Sequence, residues 1–115
     1  MLPMNRGEIW WAELGDPAGS GPGYRHPVII IQADSYTAST IKTIIVAVIS
    51  SNLNLARAPG NILLPSSESK LPKDSVINVS QIITVDKSYL TSYVGSLKAK
   101  TITALNASLK TILEL

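Results

Sequence analysis

Arg25 and His26, the latter the chain's single histidine, stand side by side where a glycine-rich loop meets an apolar run. Ser50 and Ser51 close a second apolar run further along the chain. An imidazole can remove and return a proton, while a guanidinium and a hydroxyl donate hydrogen bonds to a charged phosphoryl group. If the two runs are antiparallel neighbours, Arg25, His26 and Ser50 converge. Such a group suits metal-independent cleavage of an RNA phosphodiester by its own 2′-OH.

Other kinds of site have weaker support. The chain has no cysteine and a single histidine, and its eight acidic residues form no DxD motif. A metal centre is therefore not expected. The glycine loop spells neither GxxxxGK[ST] nor GxGxxG, and a triad through His26 would lack the G-x-S-x-G elbow. We therefore expect no metal and no cofactor.

The composition predicts one globular domain over residues 1–115, with 45% hydrophobic and 16% charged residues. A net charge of +2 permits a polyanionic partner without requiring one. The absence of cysteine fits a reducing compartment, and no segment approaches the roughly 18 apolar residues of a membrane span. We interpret the chain as cytoplasmic and not associated with a membrane.

About five strands are predicted. Residues 27–32 and 42–50 are continuous β-branched runs, which are typical of central strands buried on both faces. Residues 8–14, 61–64 and 75–85 indicate further strands. Within 8–14, Trp10 and Trp11 alternate, so one should lie in the core and the other at an interface or against a base. Residues 15–23 hold four of the seven glycines and two of the seven prolines and predict a long exposed loop.

The C-terminal segment is the only long helical pattern. Its apolar residues follow helical spacing: Ile102, Leu105, Leu109, Ile112 and Leu113. One face of such a helix must cover something apolar. The predicted fold is therefore mainly β, a small curved sheet or partial β-barrel with a C-terminal α-helix packed on it.

Three blocks, "RGEIWWAELGDPAGSGPGYRHPVIIIQAD", "IIVAVISSNL" and "DSVINVSQIITVDKSYL", resemble in order and spacing the MazF/PemK (Kid) family of toxin–antitoxin toxins. The resemblance implies an SH3-like barrel of the CcdB/PemK type and a homodimer. It also implies metal-independent cleavage of single-stranded RNA to 2′,3′-cyclic phosphate ends, and inhibition by the flexible C-terminal segment of a cognate antitoxin.

The resemblance leaves the catalytic cation open. The family's arginine usually stands directly before the proline that opens the second strand, and here His26 holds that place while Arg25 comes one residue earlier. Either Arg25 fills the role through a shift of the loop, or His26 acts as acid and base while Arg25 binds phosphate. Strand alternation would point the two side chains to opposite sides. Ser50 falls where the family has a catalytic threonine.

The resemblance also marks positions expected to contact RNA: Ser20, Gly21, Tyr24, Ser51 and Gln81. Gly21 replaces the acidic residue usual after "GS", so the family's base preferences do not transfer directly. Each singled-out residue also has a purely structural interpretation, such as a solvated cation or a polar strand end. Two other functions remain open: a CcdB-like toxin that poisons gyrase, although "KTILEL" lacks the associated Trp-Gly ending, and a barrel that binds RNA without cutting it.

Overall fold

The computed structural model describes residues 3–16, 19, 21 and 23–115. In this part of the chain six strands form one antiparallel sheet in the order β4-β5-β3-β2-β1-β6. The strands are β1 Glu8–Glu13, β2 Arg25–Ile30, β3 Thr43–Ser50, β4 Ile62–Leu64, β5 Ser75–Asp86 and β6 Leu90–Ser96. The five predicted strands are present, and the prediction missed β6.

Strands β2 and β3 lie inside the sheet, as their unbroken apolar sequences predict. Alternate residues of both strands enter two separate hydrophobic clusters. One cluster contains Ile29, Ala47 and Ile49 and continues to the C-terminal helix. The other contains Val28 and Val46. Residues 28–30 and 46–49 are buried on both faces, so these inner parts of the two strands anchor the start of β2 and the end of β3.

Strand β5 carries a large bulge. Ala47 lies opposite Ile82, whereas the next residue of β3, Val48, lies opposite Asn78. Residues 79–81 of β5 therefore have no partner in β3. A bulge increases the local twist of a strand, which helps this 12-residue strand to follow the curl of the sheet.

The C-terminal helix α3 spans Ala99–Leu113. Leu105 and Leu109 are buried against the sheet and Ile102 packs beside them, so the predicted helix is confirmed. The predicted stripe is wrong at its end, because Ile112 and Leu113 remain 47% and 51% exposed. The last turn of α3 borders an open groove beside the sheet, which leaves these two side chains partly exposed.

The remaining helical segments are short. They are α1 Asp34–Thr37, α2 Ser66–Ser69 and two 3₁₀ turns at Leu53–Arg57 and Lys87–Tyr89. Glu68 of α2 accepts a hydrogen bond from the backbone N–H of Lys98 at 3.1 Å. This bond satisfies an N–H at the start of α3 that has no partner within the helix. Among the described helices none is both long and apolar enough to cross a membrane.

Candidate functional site

The two predicted site strands are antiparallel neighbours, as convergence of their residues requires. Val28 of β2 lies opposite Val48 of β3, and Ile30 lies opposite Val46. The first residues of β2 therefore lie beside the last residues of β3 at one end of the sheet. This pairing confirms the topological assumption behind the predicted site.

A cleft of about 300 Å³ opens at this end of the sheet. Five of its lining residues are apolar and five carry polar side chains. Its walls are Trp11, Arg25, His26, Pro27, Ile49, Ser51, Leu71, Pro72, Lys73 and Ser75. The combination of an apolar floor with cations and hydroxyls suits a nucleotide, which has a flat base and an anionic phosphate.

Arg25 is held at the mouth of the cleft by two contacts with β1. It lies directly opposite Glu13 in the strand register, with 3.5 Å between Arg25 Nε and Glu13 Oε1. Its guanidinium carbon lies 4.2 Å from the centroid of the Trp11 ring, a cation–π distance. Both charged side chains are about half exposed, at 50% and 51%. The guanidinium therefore keeps N–H donors free for an anion.

Trp10 and Trp11 divide as the alternation of β1 predicts. Trp10 is 4% exposed, belongs to the second hydrophobic cluster and makes an edge-to-face contact with Tyr93. Trp11 is half-buried and forms the platform under Arg25.

His26 is half-buried, and its Nε2 atom is itself buried, with no hydrogen-bond partner in the described part of the chain. Burial lowers the pKa of His26 below its usual value of 6.5, and a hydrogen bond to the backbone of Ile49 partly opposes this shift. The imidazole is therefore neutral near pH 7. A neutral imidazole can accept a proton, which a general base must do.

Ser50 and His26 belong to the same face of the sheet. Continuing the β2–β3 register by two residues sets His26 opposite Ser50, and alternation sets Arg25 and Ser51 on the other face. Ser51 lines the cleft, whereas Ser50 does not. The Ser50 hydroxyl accepts a hydrogen bond from the backbone N–H of Asn52 at 3.1 Å. The predicted group of Arg25, His26 and Ser50 is thus divided between two faces, with His26 also bordering the cleft.

The predicted RNA-contacting positions are spread more widely. Tyr24 precedes Arg25 and is 65% exposed, and Gly21 is exposed as well. Ser20 lies outside the described residues. Gln81 lies in the bulge of β5, where its Oε1 atom accepts a hydrogen bond from Asn78 at 3.0 Å. Neither Tyr24 nor Gln81 lines the cleft.

The glycine-rich loop is closed at its base by backbone hydrogen bonds. Leu14 N–H donates to Tyr24 C=O at 2.7 Å, and Tyr24 N–H donates to Gly15 C=O. Tyr24 has a φ of +53° and Gly15 a φ of +70°. Both values lie in the left-handed region, which only glycine adopts at no steric cost. The chain thus leaves β1 and enters β2 at a fixed point.

Lys73 and Ser75 are cleft residues that the sequence prediction missed. Lys73 follows Pro72 and precedes β5, which pairs with the end of β3. A cation beside a proline at the start of an apolar strand is the same local pattern that singled out Arg25 and His26. The same pattern in "LPKDSVI" could have identified Lys73 from the sequence.

A metal site is not apparent in the described ranges, where no three His, Cys, Asp or Glu side chains come together.

Residues 5–113 match the model of the PemK-like, MazF-like toxins of type II toxin–antitoxin systems. Endoribonuclease MazF6 of Mycobacterium tuberculosis is 46% identical over 114 residues, covering 99% of this chain and 100% of that protein. Endoribonuclease MazF of Staphylococcus saprophyticus is 41% identical over 87 residues, covering 76% of this chain and 72% of that protein.

Solved structures share the fold at lower identity. MazF from Deinococcus radiodurans superposes with a TM-score of 0.81 at 17% identity, covering 100% of both chains. A mycobacterial endoribonuclease solved in complex with its cognate antitoxin gives a TM-score of 0.75 at 21% identity, covering 100% of this chain and 97% of that one.

Proposed function

The chain belongs to the PemK-like, MazF-like family of toxins of type II toxin–antitoxin systems, and we propose that it is an endoribonuclease that cleaves single-stranded RNA without a metal ion. The products are a 2′,3′-cyclic phosphate and a 5′-OH, and loss of mRNA inhibits translation and growth in the cytoplasm. The observation that carries the proposal is 46% identity, over nearly the whole chain, to a relative named as an endoribonuclease.

The residues at the start of β2 and the end of β3 can supply the steps of this reaction. Neutral His26 accepts the proton of the 2′-OH as that oxygen attacks the phosphorus atom. The bond from phosphorus to the 5′ oxygen then breaks, and the imidazolium returns the proton to the departing oxygen. Arg25 and the Ser50 hydroxyl belong to opposite faces of the sheet. For both to donate hydrogen bonds to the charged phosphorane, the phosphate must lie across the sheet edge where β2 begins and β3 ends. One bond to phosphorus forms as another breaks, and the single proton taken from the 2′-OH is delivered by His26 to the 5′ oxygen.

The assignment makes His26 the acid and base and Arg25 the charge stabiliser. Its support is the lowered pKa of His26, the position of His26 in the lining of the cleft and the exposed guanidinium of Arg25. The competing assignment gives Arg25 the role of the family's arginine and leaves His26 structural.

Cleavage of a long RNA in the presence of EDTA tests the proposal. The wild type should yield cyclic-phosphate ends, and His26→Ala should lower kcat by about 10²–10⁴, the usual contribution of general acid–base catalysis. Arg25→Ala and Ser50→Ala should also lower kcat, whereas Ser67→Ala on α2 should not. Intact RNA at high protein concentration would refute nuclease activity, and binding without cleavage would instead support the non-cutting barrel.

The pH–rate profile separates the two assignments. If His26 carries the proton, the wild type shows an acidic limb at or below about pH 6.5, and His26→Gln removes it. An unchanged limb in His26→Gln would assign proton transfer to another group.

We further propose that the chain is a homodimer. An open groove of about 840 Å³ runs between the end of α3 and the sheet, with exposed apolar side chains along it. Ile45, Leu113 and Leu115 are 38%, 51% and 86% exposed, which is unusual for a surface that stays in water. Light scattering should give the mass of two chains for the wild type and of one for Leu113→Glu, while Thr103→Glu stays dimeric. A monomeric wild type would refute the dimer.

A cognate antitoxin is the expected inhibitor, with its flexible C-terminal segment occupying the RNA-binding surface. The support is family membership and the fold shared with an endoribonuclease solved together with its antitoxin. Expression of the chain should arrest growth, and co-expression of the cognate antitoxin should restore it. Growth arrest that the antitoxin does not relieve would contradict this partner.

A further inference from the structure

Resting on the proposed function, we propose that Lys73 binds an RNA phosphate that flanks the scissile one. It would make the cleft a subsite for one nucleotide, with the base on the apolar floor and the flanking phosphate at the rim. No metal or additional protein is needed for this contact.

The first support is the charge of the cleft. Arg25, His26 and Lys73 contribute basic side chains to its lining, and no acidic residue contributes to it. In the described part of the chain the ion pair is that of Arg25 with Glu13, so Lys73 is not neutralised by a carboxylate there. An exposed ammonium beside hydroxyl groups is a typical contact for a phosphate of a nucleic acid backbone.

The neighbouring acid is directed elsewhere. Asp74 follows Lys73, but its Oδ1 atom accepts a hydrogen bond from the backbone N–H of Ser66 at 2.9 Å. That bond commits the carboxylate to the start of α2. Lys73 therefore lines the cleft, whereas the carboxylate of Asp74 does not.

The backbone under Lys73 is fixed, although its side chain is exposed. The Ser75 hydroxyl donates to Lys73 C=O at 3.0 Å, and Pro72 has a restricted φ angle. Leu71 is only 5% exposed, and its backbone N–H donates to the Ser69 hydroxyl at 3.0 Å. A phosphate bound here orders only the lysine side chain, which keeps the entropic cost of binding small.

The shape of the cleft suits a nucleotide. The apolar floor of the cleft consists of Trp11, Ile49, Leu71 and Pro72. A base that stacks on this surface is stabilised by contact with apolar and aromatic side chains. Arg25 and Lys73 line the same cleft, so a nucleotide whose base lies on the apolar floor has its phosphate close to a cation. A bare anion such as a sulfate would use the cations and leave the apolar walls exposed.

Salt dependence of binding tests the contact directly. The probe is a short single-stranded RNA of mixed sequence with 2′-fluoro groups, which binds but lacks the 2′-OH needed for cleavage. Its Kd is measured by fluorescence anisotropy over a range of salt concentrations. A protein that loses one phosphate contact should show a log K against log [salt] slope smaller by about 0.7.

We expect this decrease for Lys73→Ala and an unchanged slope for Lys73→Arg, which keeps the charge. The matched control is Lys42→Ala, because Lys42 precedes β3 whereas the cleft lies at the far end of that eight-residue strand, about 26 Å away. Lys73→Ala should unfold at the same temperature as the wild type. An unchanged slope in Lys73→Ala, or an equal decrease in Lys42→Ala, would overturn the subsite.

The two proposals fail separately. If the wild type cleaves RNA but Lys73→Ala keeps the full salt slope, the subsite is wrong and the nuclease stands. If the wild type binds the probe with a slope that Lys73→Ala lowers, yet never cleaves RNA, the subsite stands and the nuclease is wrong.

Discussion

The contact between Glu13 and Arg25 implies that Glu13 competes with RNA for the guanidinium. The carboxylate lies 3.5 Å from Arg25 Nε and directly across the strand pair. An RNA phosphate that binds Arg25 must replace this interaction or share the guanidinium with it. Glu13→Gln, which keeps the shape and removes the charge, should therefore increase the affinity for RNA.

The size of the effect follows from the exposure of the pair. Both side chains are about half exposed, and exposed ion pairs contribute about 0.2–1 kcal/mol. If RNA must break this ion pair completely in the wild type, Glu13→Gln should bind RNA with a Kd lower by a factor of about 1.4–5. The Trp11 ring still supports the guanidinium in Glu13→Gln, so Arg25 should keep its position at the cleft.

The uncleavable 2′-fluoro RNA and the anisotropy measurement described above serve as the assay. Glu114→Gln removes the same charge at the end of α3 and reports the effect of net charge alone. In an Arg25→Ala background, Glu13→Gln should have no effect beyond that of Glu114→Gln. A higher Kd in Glu13→Gln would refute competition, as would an equal gain in affinity with and without Arg25.

Three further predictions concern stability, each measured by urea unfolding. Leu105→Ala removes a fully buried side chain of α3 and should cost about 2–5 kcal/mol, while Leu53→Ala, 48% exposed, should cost far less; equal losses would contradict the packing. Because the pKa of His26 is lowered, the unfolded chain binds its proton first, so stability should fall as pH decreases from about 6.5. His26→Asn should weaken that dependence, and an identical dependence would count against the buried imidazole. Asn61 Oδ1 accepts from Val79 N–H at 3.0 Å, so Asn61→Ala should cost about 1–3 kcal/mol, and a neutral result would contradict that role.

Local patterns were sufficient for most of the fold. Strands β2 and β3 are unbroken β-branched runs, and α3 has an apolar stripe, so each was predictable from neighbouring residues alone. Strand β6, "LTSYVGS", was not, because serines and a glycine interrupt its apolar residues and its edge position buries only part of it. The exposed end of α3 was also unpredictable, since the apolar stripe does not show where the helix stops packing against the sheet and an open groove begins.

The candidate site was predictable only where it depends on strand pairing. The antiparallel β2–β3 pair and the alternation that separates Arg25 from His26 follow from the sequence pattern. The position of Lys73 beside Arg25 does not, because it requires β5 to pair with β3 and the Pro72 segment to border the cleft. Ser50, placed in the same group as Arg25, belongs to the face of His26.

The paired hydrogen bonds that join Tyr24 to Leu14 and Gly15 have an evolutionary consequence. They end the strand pair at a constant point, so the number and kind of residues between 15 and 24 can change without altering the register of β1 and β2. Doubling the length of such a segment costs only about 0.6 kcal/mol of closure entropy. Descendants of this chain can therefore exchange the segment as a cassette while inheriting the sheet unchanged.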